Sequence, residues 1–128
     1  MSDFRLRKKE RLKSRKVIGQ LFMEGKSVRA FPVRVIWCTH ERLGEYPAQA
    51  AFSVPKRLFK RAWQRNLLKR RLREAYRLNK ALVYDHTDLG EMQISLMIVY
   101  TSPEFQTFDT IQQGLVKALG LMMHKQTR

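Results

Sequence analysis

A chain of 128 residues with 44% hydrophobic content is too apolar for a disordered basic tail, and at this length one domain buries roughly two thirds of its unfolded surface. Its formal charge of +15 is unevenly placed: residues 1–16 hold eight basic and two acidic residues, residues 56–77 hold ten basic and one acidic, and the remainder is neutral. Two basic segments on an otherwise balanced domain point to a polyanionic partner, and argue against uniform supercharging as a solubility device.

No stretch approaches the roughly 18 apolar residues of a membrane span, and the N-terminus lacks the apolar core of a signal peptide. A cytoplasmic location with no membrane partner is therefore expected. The single cysteine, Cys38, forbids an internal disulfide, offers no zinc constellation and suggests no disulfide-linked partner; its expected role is that of a small packing residue in a strand. There is no internal repeat, low-complexity tract or linker, so residues 1–128 read as a single domain.

Residues 1–13 combine few apolar positions with many charges and read as an extended or mobile basic arm that could order on a polyanion. From Ser14, a suitable N-cap, Val17, Ile18, Leu21 and Phe22 recur at helical spacing, and Gly25 marks the stop. Phe31–Cys38 is rich in β-branched and aromatic residues and predicts a strand, with Pro32 at its start or on an edge. A shorter strand fits between Ser27 and Phe31. Parity puts Val33, Val35 and Trp37 on one face and Arg34, Ile36 and Cys38 on the other, without deciding which face meets RNA. A tryptophan in a strand is more often core than ligand, so Trp37 is not taken as a contact. Thr39–Pro47 reads as a polar turn and Ala48–Val54 as the next strand.

Lys56–Arg77 holds the densest positive charge. From Ala62 onward, at 100° per residue, Arg65, Asn66, Lys69, Arg70, Arg73 and Arg77 share one sector of a helix, and Leu67, Leu68, Leu72, Ala75 and Leu78 lie roughly opposite. Arg71 falls within the apolar arc, which places its stem along apolar neighbours and its guanidinium at the edge. A charge run on a helix is usually a solvated face laced with Glu to Lys pairs four residues apart. Here Glu74 is the lone acid, and the uncompensated repulsion favours a polyanion. The arginine bias fits phosphate, which a planar guanidinium grips through two hydrogen bonds.

Beyond the helix, Tyr84–Glu91 has turn chemistry. Asp85, Asp88 and His86 could suggest a metal site, but acids in an irregular turn without a second ligand cluster favour a solvated loop, and no metal-ligating residue is assigned. Gln93–Tyr100 is a nearly continuous apolar run of strand length, which predicts a strand covered on both faces at the centre of the sheet. Phe108, Ile111, Leu115, Leu119 and Met122 predict a closing helix that covers the sheet. The predicted fold is an α/β two-layer sandwich in the order α-β-β-β-α-β-α, with helices on a small mixed sheet.

The run Arg65-Asn66-Leu67-Leu68-Lys69-Arg70-Arg71-Leu72-Arg73-Glu74, preceded by Lys56-Arg57 and Ala62, resembles the signature of the protein component of bacterial ribonuclease P. That signature has the form RNxxKRxxRE, six fixed positions in ten residues. The chain departs from many members in carrying Leu67 where they have a further basic residue after the Asn. The resemblance extends, more weakly, from about Arg11 to the final helix. It implies a left-handed βαβ crossover, against the right-handed form of about 98% of such units.

The resemblance further implies a protein subunit that binds a catalytic RNA and the 5′ leader of precursor tRNA, and supports magnesium-dependent removal of that leader, with Mg2+ held mainly by the RNA. Arg65, Asn66, Lys69, Arg70 and Arg73 are then expected to contact the catalytic RNA, with Lys56, Arg57, Lys60 and Arg61 extending the surface. The family presents an aromatic from the first helix to the leader, and Phe22, by its spacing to Gly25, is the matching residue. Ile18 stands where some relatives carry a second aromatic. No activated nucleophile, acid and base pair or metal cluster is visible in the chain, and His40, His86 and His124 read as solvent-facing, so no catalytic residue is assigned to the polypeptide. An unrelated RNA-binding module, such as a ribosomal protein, and a protein-only nuclease are the rival readings.

Overall fold

The computed structural model describes residues 6–41, 46–85 and 92–126. Helix α1 (Arg15–Glu24) is followed by strands β1 (Lys26–Ala30), β2 (Val33–Glu41) and β3 (Ala48–Ser53). Helix α2 (Ala62–Asn79), a single turn α3 (Ala81–Tyr84), β4 (Met92–Tyr100) and helix α4 (Phe108–Gln126) complete the chain. The strands form one mixed sheet in the order β1-β2-β4-β3, antiparallel except for the parallel pair β3 and β4, which α2 and α3 connect. The predicted element order is observed, with α3 as an addition.

Ser14 caps α1, its hydroxyl accepting the Val17 N–H at 3.3 Å. Gly25 ends the helix for want of room, not by a left-handed turn. Its φ is −68°, and a Cβ there would collide with the Leu21 carbonyl and lie 2.8 Å from Ile36 Cγ2.

The strand parity separates two cores. Val33, Val35 and Trp37 of β2 join Ile94, Leu96, Ile98 and Tyr100 of β4 under α2 and α4, so Trp37 is a buried core residue. The opposite face carries Ile36 and Met97, covered by Val17 and Leu21 of α1 and by Leu12, with Ile18 and Cys38 at the margin. The closing helix supplies fully buried Ile111, Leu115, Leu119 and Met122 to the larger core. Central β4 is buried on both faces, as its nearly continuous apolar run requires. Burial pushes the Cys38 thiol upward, and the Glu24 carboxylate adds to the effect, which keeps it protonated and inert.

Three expectations need correction. Strand β2 runs on to Glu41, so the polar turn begins later than Thr39. His40 accordingly lies on the strand, half-buried, with Nδ1 on the Glu41 carbonyl at 2.7 Å and Nε2 on the Ser95 hydroxyl at 2.6 Å; it is a structural residue, not a solvent-facing one. In α2 the buried stripe is Leu68, Leu72, Ala75 and Tyr76, whereas Leu78 is exposed and Leu67 only half-buried. Asp85 follows α3, while His86 and Asp88 lie outside the described residues.

The basic arm is docked along its described part, residues 6–13. Lys8–Glu10 forms a 3-10 turn, Arg11 bridges to Ala50 on the outer edge of β3, and the Leu12 N–H donates to the Ala50 carbonyl at 2.8 Å. Glu10 is fully buried. Its Oε1 accepts from Lys80 Nζ at 2.7 Å and from the Tyr84 hydroxyl, and its Oε2 from the Arg7 N–H at 2.6 Å.

Candidate nucleic-acid interface

The buried stripe of α2 fixes the rotation of the helix, and its cations follow from that rotation. Asn66 and Arg70 are exposed, and Lys69 is half-buried at the border of the core. Among the described residues no carboxylate lies within salt-bridge distance of Lys69 or Arg70. Glu74 is held by Arg77, whose Nε lies 3.1 Å from its Oε2, and this contact lowers the Glu74 pKa. Lys56, Arg57, Lys60 and Arg61 are all exposed on the segment leading into α2. Apart from the Glu74–Arg77 pair, the cations of α2 and of the segment before it have no carboxylate within salt-bridge distance among the described residues, the electrostatic footprint of a polyanion site.

Three arginines of α2 have duties inside the fold. Arg65 turns back on the segment before the helix, its Nη1 donating to the carbonyls of Phe59 at 2.9 Å and Lys60 at 2.8 Å. It thus shapes the loop that presents Lys60 and Arg61. Arg71 rests its stem at the border of the core, as the sequence requires, and donates to the Gln106 carbonyl at 2.7 Å. Arg73 lies with its guanidinium carbon 6.0 Å from the centre of the Phe52 ring. Desolvation, and then the nearby charge of Arg11, hold the Arg73 pKa below its usual value. Its Nε is buried without a hydrogen-bond partner.

The proximity of Arg11 to Arg73 was not visible in the sequence. The docked arm brings a second guanidinium beside the helix, and two like charges from segments 62 residues apart are costly unless an anion joins them. The one available signal was a lone acid, Glu10, within a basic run.

Phe22 lies on the opposite side of the sheet from α2, on α1, and is 61% exposed. It contributes nothing to either core, whose α1 members are Val17 and Leu21. Ile18 is partly buried against the smaller core. Arg34, half-buried on the same sheet face, reaches the Ser27 hydroxyl at 3.5 Å.

The carboxylates nearest the basic helix do not fit a magnesium site, since Glu74 is engaged by Arg77 and Glu10 by Lys80 and Tyr84. Among the described residues no group of three or more His, Cys, Asp or Glu could hold a metal ion. Among them, too, no helix is long and apolar enough to cross a membrane.

Comparison with known proteins agrees with this geometry. The sequence model of the family described as Ribonuclease P matches residues 6–122. The ribonuclease P protein component of Porphyromonas gingivalis is 38% identical over 123 residues, spanning 92% of this chain and 86% of the relative. That of Chlorobium phaeobacteroides is 29% identical, spanning 89% and 85%. The RNase P protein of Staphylococcus aureus superposes with a TM-score of 0.68 at 23% identity, over 88% of this chain and 94% of that one. The Thermotoga maritima protein gives 0.67 at 24%, over 88% and 96%. The chain belongs to the ribonuclease P protein family, the protein components of a tRNA-processing ribonucleoprotein.

Proposed function

We propose that this chain binds the catalytic RNA of ribonuclease P through the cationic side of α2 and the segment before it, and the 5′ leader of precursor tRNA on the α1 side of the sheet. The observation that carries this reading is the set Asn66, Lys69 and Arg70, presented on one helix side with no carboxylate partner among the described residues, while Glu74 and Glu10 are engaged elsewhere. Lys56, Arg57, Lys60 and Arg61 extend that surface, Arg65 orders it, and Arg73 with Arg11 adds a phosphate site over Phe52. Phe22 offers a ring to an unpaired leader base.

The reaction is hydrolysis of a precursor tRNA phosphodiester, releasing the 5′ leader and leaving a 5′ phosphate on the mature tRNA. The polypeptide supplies no nucleophile, general base or metal ligand to it. Its part is to neutralise phosphates near the RNA active centre and to hold substrate, so that the RNA keeps its magnesium ions at lower free concentration. On this reading the protein works in the cytoplasm, together with the two RNAs. The test is cleavage of precursor tRNA by protein alone, RNA alone and the two together across a magnesium titration. Cleavage is expected from the RNA, at a lower magnesium midpoint when the protein is present. Cleavage by protein alone would make it a nuclease in its own right. Equal midpoints with and without protein would remove the supporting role.

A further inference from the structure

Two large rings stand in solvent where the cationic surface begins. Trp63, in the first turn of α2, is 58% exposed and Phe105, in the loop between β4 and α4, is 42% exposed. They are stacked, with centroids 6.1 Å apart and planes 16° from parallel. Behind them Phe105 packs on Phe59 at 5.0 Å, and Phe59 on Tyr100 at 5.9 Å, both of the latter buried. The four rings form a column that starts in the core and ends at the surface on the indole.

Hydrogen bonds hold the inner part of the column. The Tyr100 hydroxyl donates to the Glu104 carbonyl and accepts the Gln106 N–H at 3.0 Å, which pins both neighbours of Phe105. Arg71 holds the Gln106 carbonyl from α2, and Arg65 holds the carbonyls of Phe59 and Lys60. Hydrophobic burial alone does not explain this arrangement, because the indole remains mostly in water and Ala62, beside it, is also exposed. Exposed Arg61 and Lys60 lie two and three residues before Trp63, with Lys56 and Arg57 earlier on the same segment, and Glu104 is the acid directly before Phe105.

We propose that Trp63 and Phe105 form a preorganised platform on which an unpaired base of the RNA subunit stacks, while Lys60 and Arg61 hold the adjoining phosphates. A base on the outer side of the indole lengthens the column by one ring, and rigid aromatics beside cations are the usual means of binding unpaired nucleotides. The RNA subunit is favoured over the tRNA leader as the source of the base, because Trp63 belongs to α2 itself and Phe22 lies across the sheet. The proposal rests on the assignment of α2 to the RNA subunit, and adds to it a contact that is not electrostatic.

Full-length protein is titrated with transcribed RNA subunit while tryptophan emission is followed. The only other tryptophan, Trp37, is fully buried, so quenching reports on Trp63. Strong quenching is expected. Trp63→Leu should weaken binding about 5- to 150-fold with an unchanged salt slope, as a stacking contact removes no charge. Trp63→Phe should restore most of the affinity, and Phe105→Leu should lower it in part. Unchanged affinity in Trp63→Leu, with a salt slope that still responds to loss of Lys69 and Arg73, overturns the platform and leaves the α2 reading intact. Absence of binding by the wild-type protein overturns both. Equal quenching by precursor tRNA without the RNA subunit would move the platform to the substrate, and self-association abolished by Trp63→Leu without change in RNA affinity would make it a protein contact; each overturns the proposal.

Discussion

Glu10 is the acid that a basic arm would be expected to lose first, yet it is fully buried and accepts from Lys80, Tyr84 and the Arg7 backbone. The desolvation cost of this buried pair is offset by its mutual attraction and hydrogen bonds, whereas removing one partner strands the other charge. Glu10→Ala or Lys80→Met alone should therefore destabilise the fold by about 3 to 5 kcal/mol, and the double variant Glu10→Leu/Lys80→Met should recover much of that loss. Thermal melting of the three variants measures it. Tyr76 and Tyr84, beside this pair, carry a second consequence. Burial is the main cause that raises both phenols, with the Glu10 carboxylate disfavouring either phenolate, so the fold prefers them protonated. The folded pKa exceeds the unfolded one. This stabilisation is therefore complete below about pH 10 and lost as pH rises above it. Tyr84→Phe should flatten the alkaline limb of a melting temperature against pH curve, and an equally steep limb would locate the loss elsewhere.

Elements built from local pattern were legible in the sequence. Ser14 and Gly25 bounded α1 because capping and the room at a helix end act over a few residues. The nearly continuous apolar run of β4 pointed to a central strand, and the parity of β2 separated Trp37 from Ile36. Contacts between distant segments were not legible. Glu10 meets Lys80 across 70 positions and His40 meets Ser95 across 55, and no periodicity encodes either. The same limit applies within α2: Arg65, Lys69 and Arg73 read as equivalent on a wheel, yet Arg65 binds loop carbonyls and Arg73 lies over Phe52. Lys69 and Arg73 test RNA contact better than Arg65, whose two carbonyl bonds order the loop, whereas Arg73 gives up a single ring contact. With both replaced by Ala, the slope of log affinity against log salt for the RNA subunit should lose roughly 0.7 to 0.9 in magnitude for each phosphate contact removed. An unchanged slope would take α2 off the RNA.

At the scale of the whole molecule the sheet is a partition. Helices α2 and α4 occupy one side with the cationic surface and the ring column, and α1 occupies the other with Phe22, so the proposed assembly and substrate contacts would lie on opposite sides of it. Perturbations on the two sides should therefore add. Because Phe22 is 61% exposed, Phe22→Ala should change folding stability by no more than about 0.5 kcal/mol, far from the roughly 3 to 5 kcal/mol lost when a buried phenylalanine is truncated. Stacking on a leader base would be worth on the order of 1 to 3 kcal/mol, so the assembled complex should lose that much affinity for leader-bearing precursor tRNA and almost none for mature tRNA. Affinity for the RNA subunit itself should not move. Combined with Lys69→Ala/Arg73→Ala, the assembly defect and the precursor defect should each appear undiminished, within about 0.3 to 0.5 kcal/mol of additivity. A precursor to mature affinity ratio that stays constant in Phe22→Ala would leave the α1 side without a leader contact. A coupling well beyond that margin would mean that the sheet transmits binding from one side to the other.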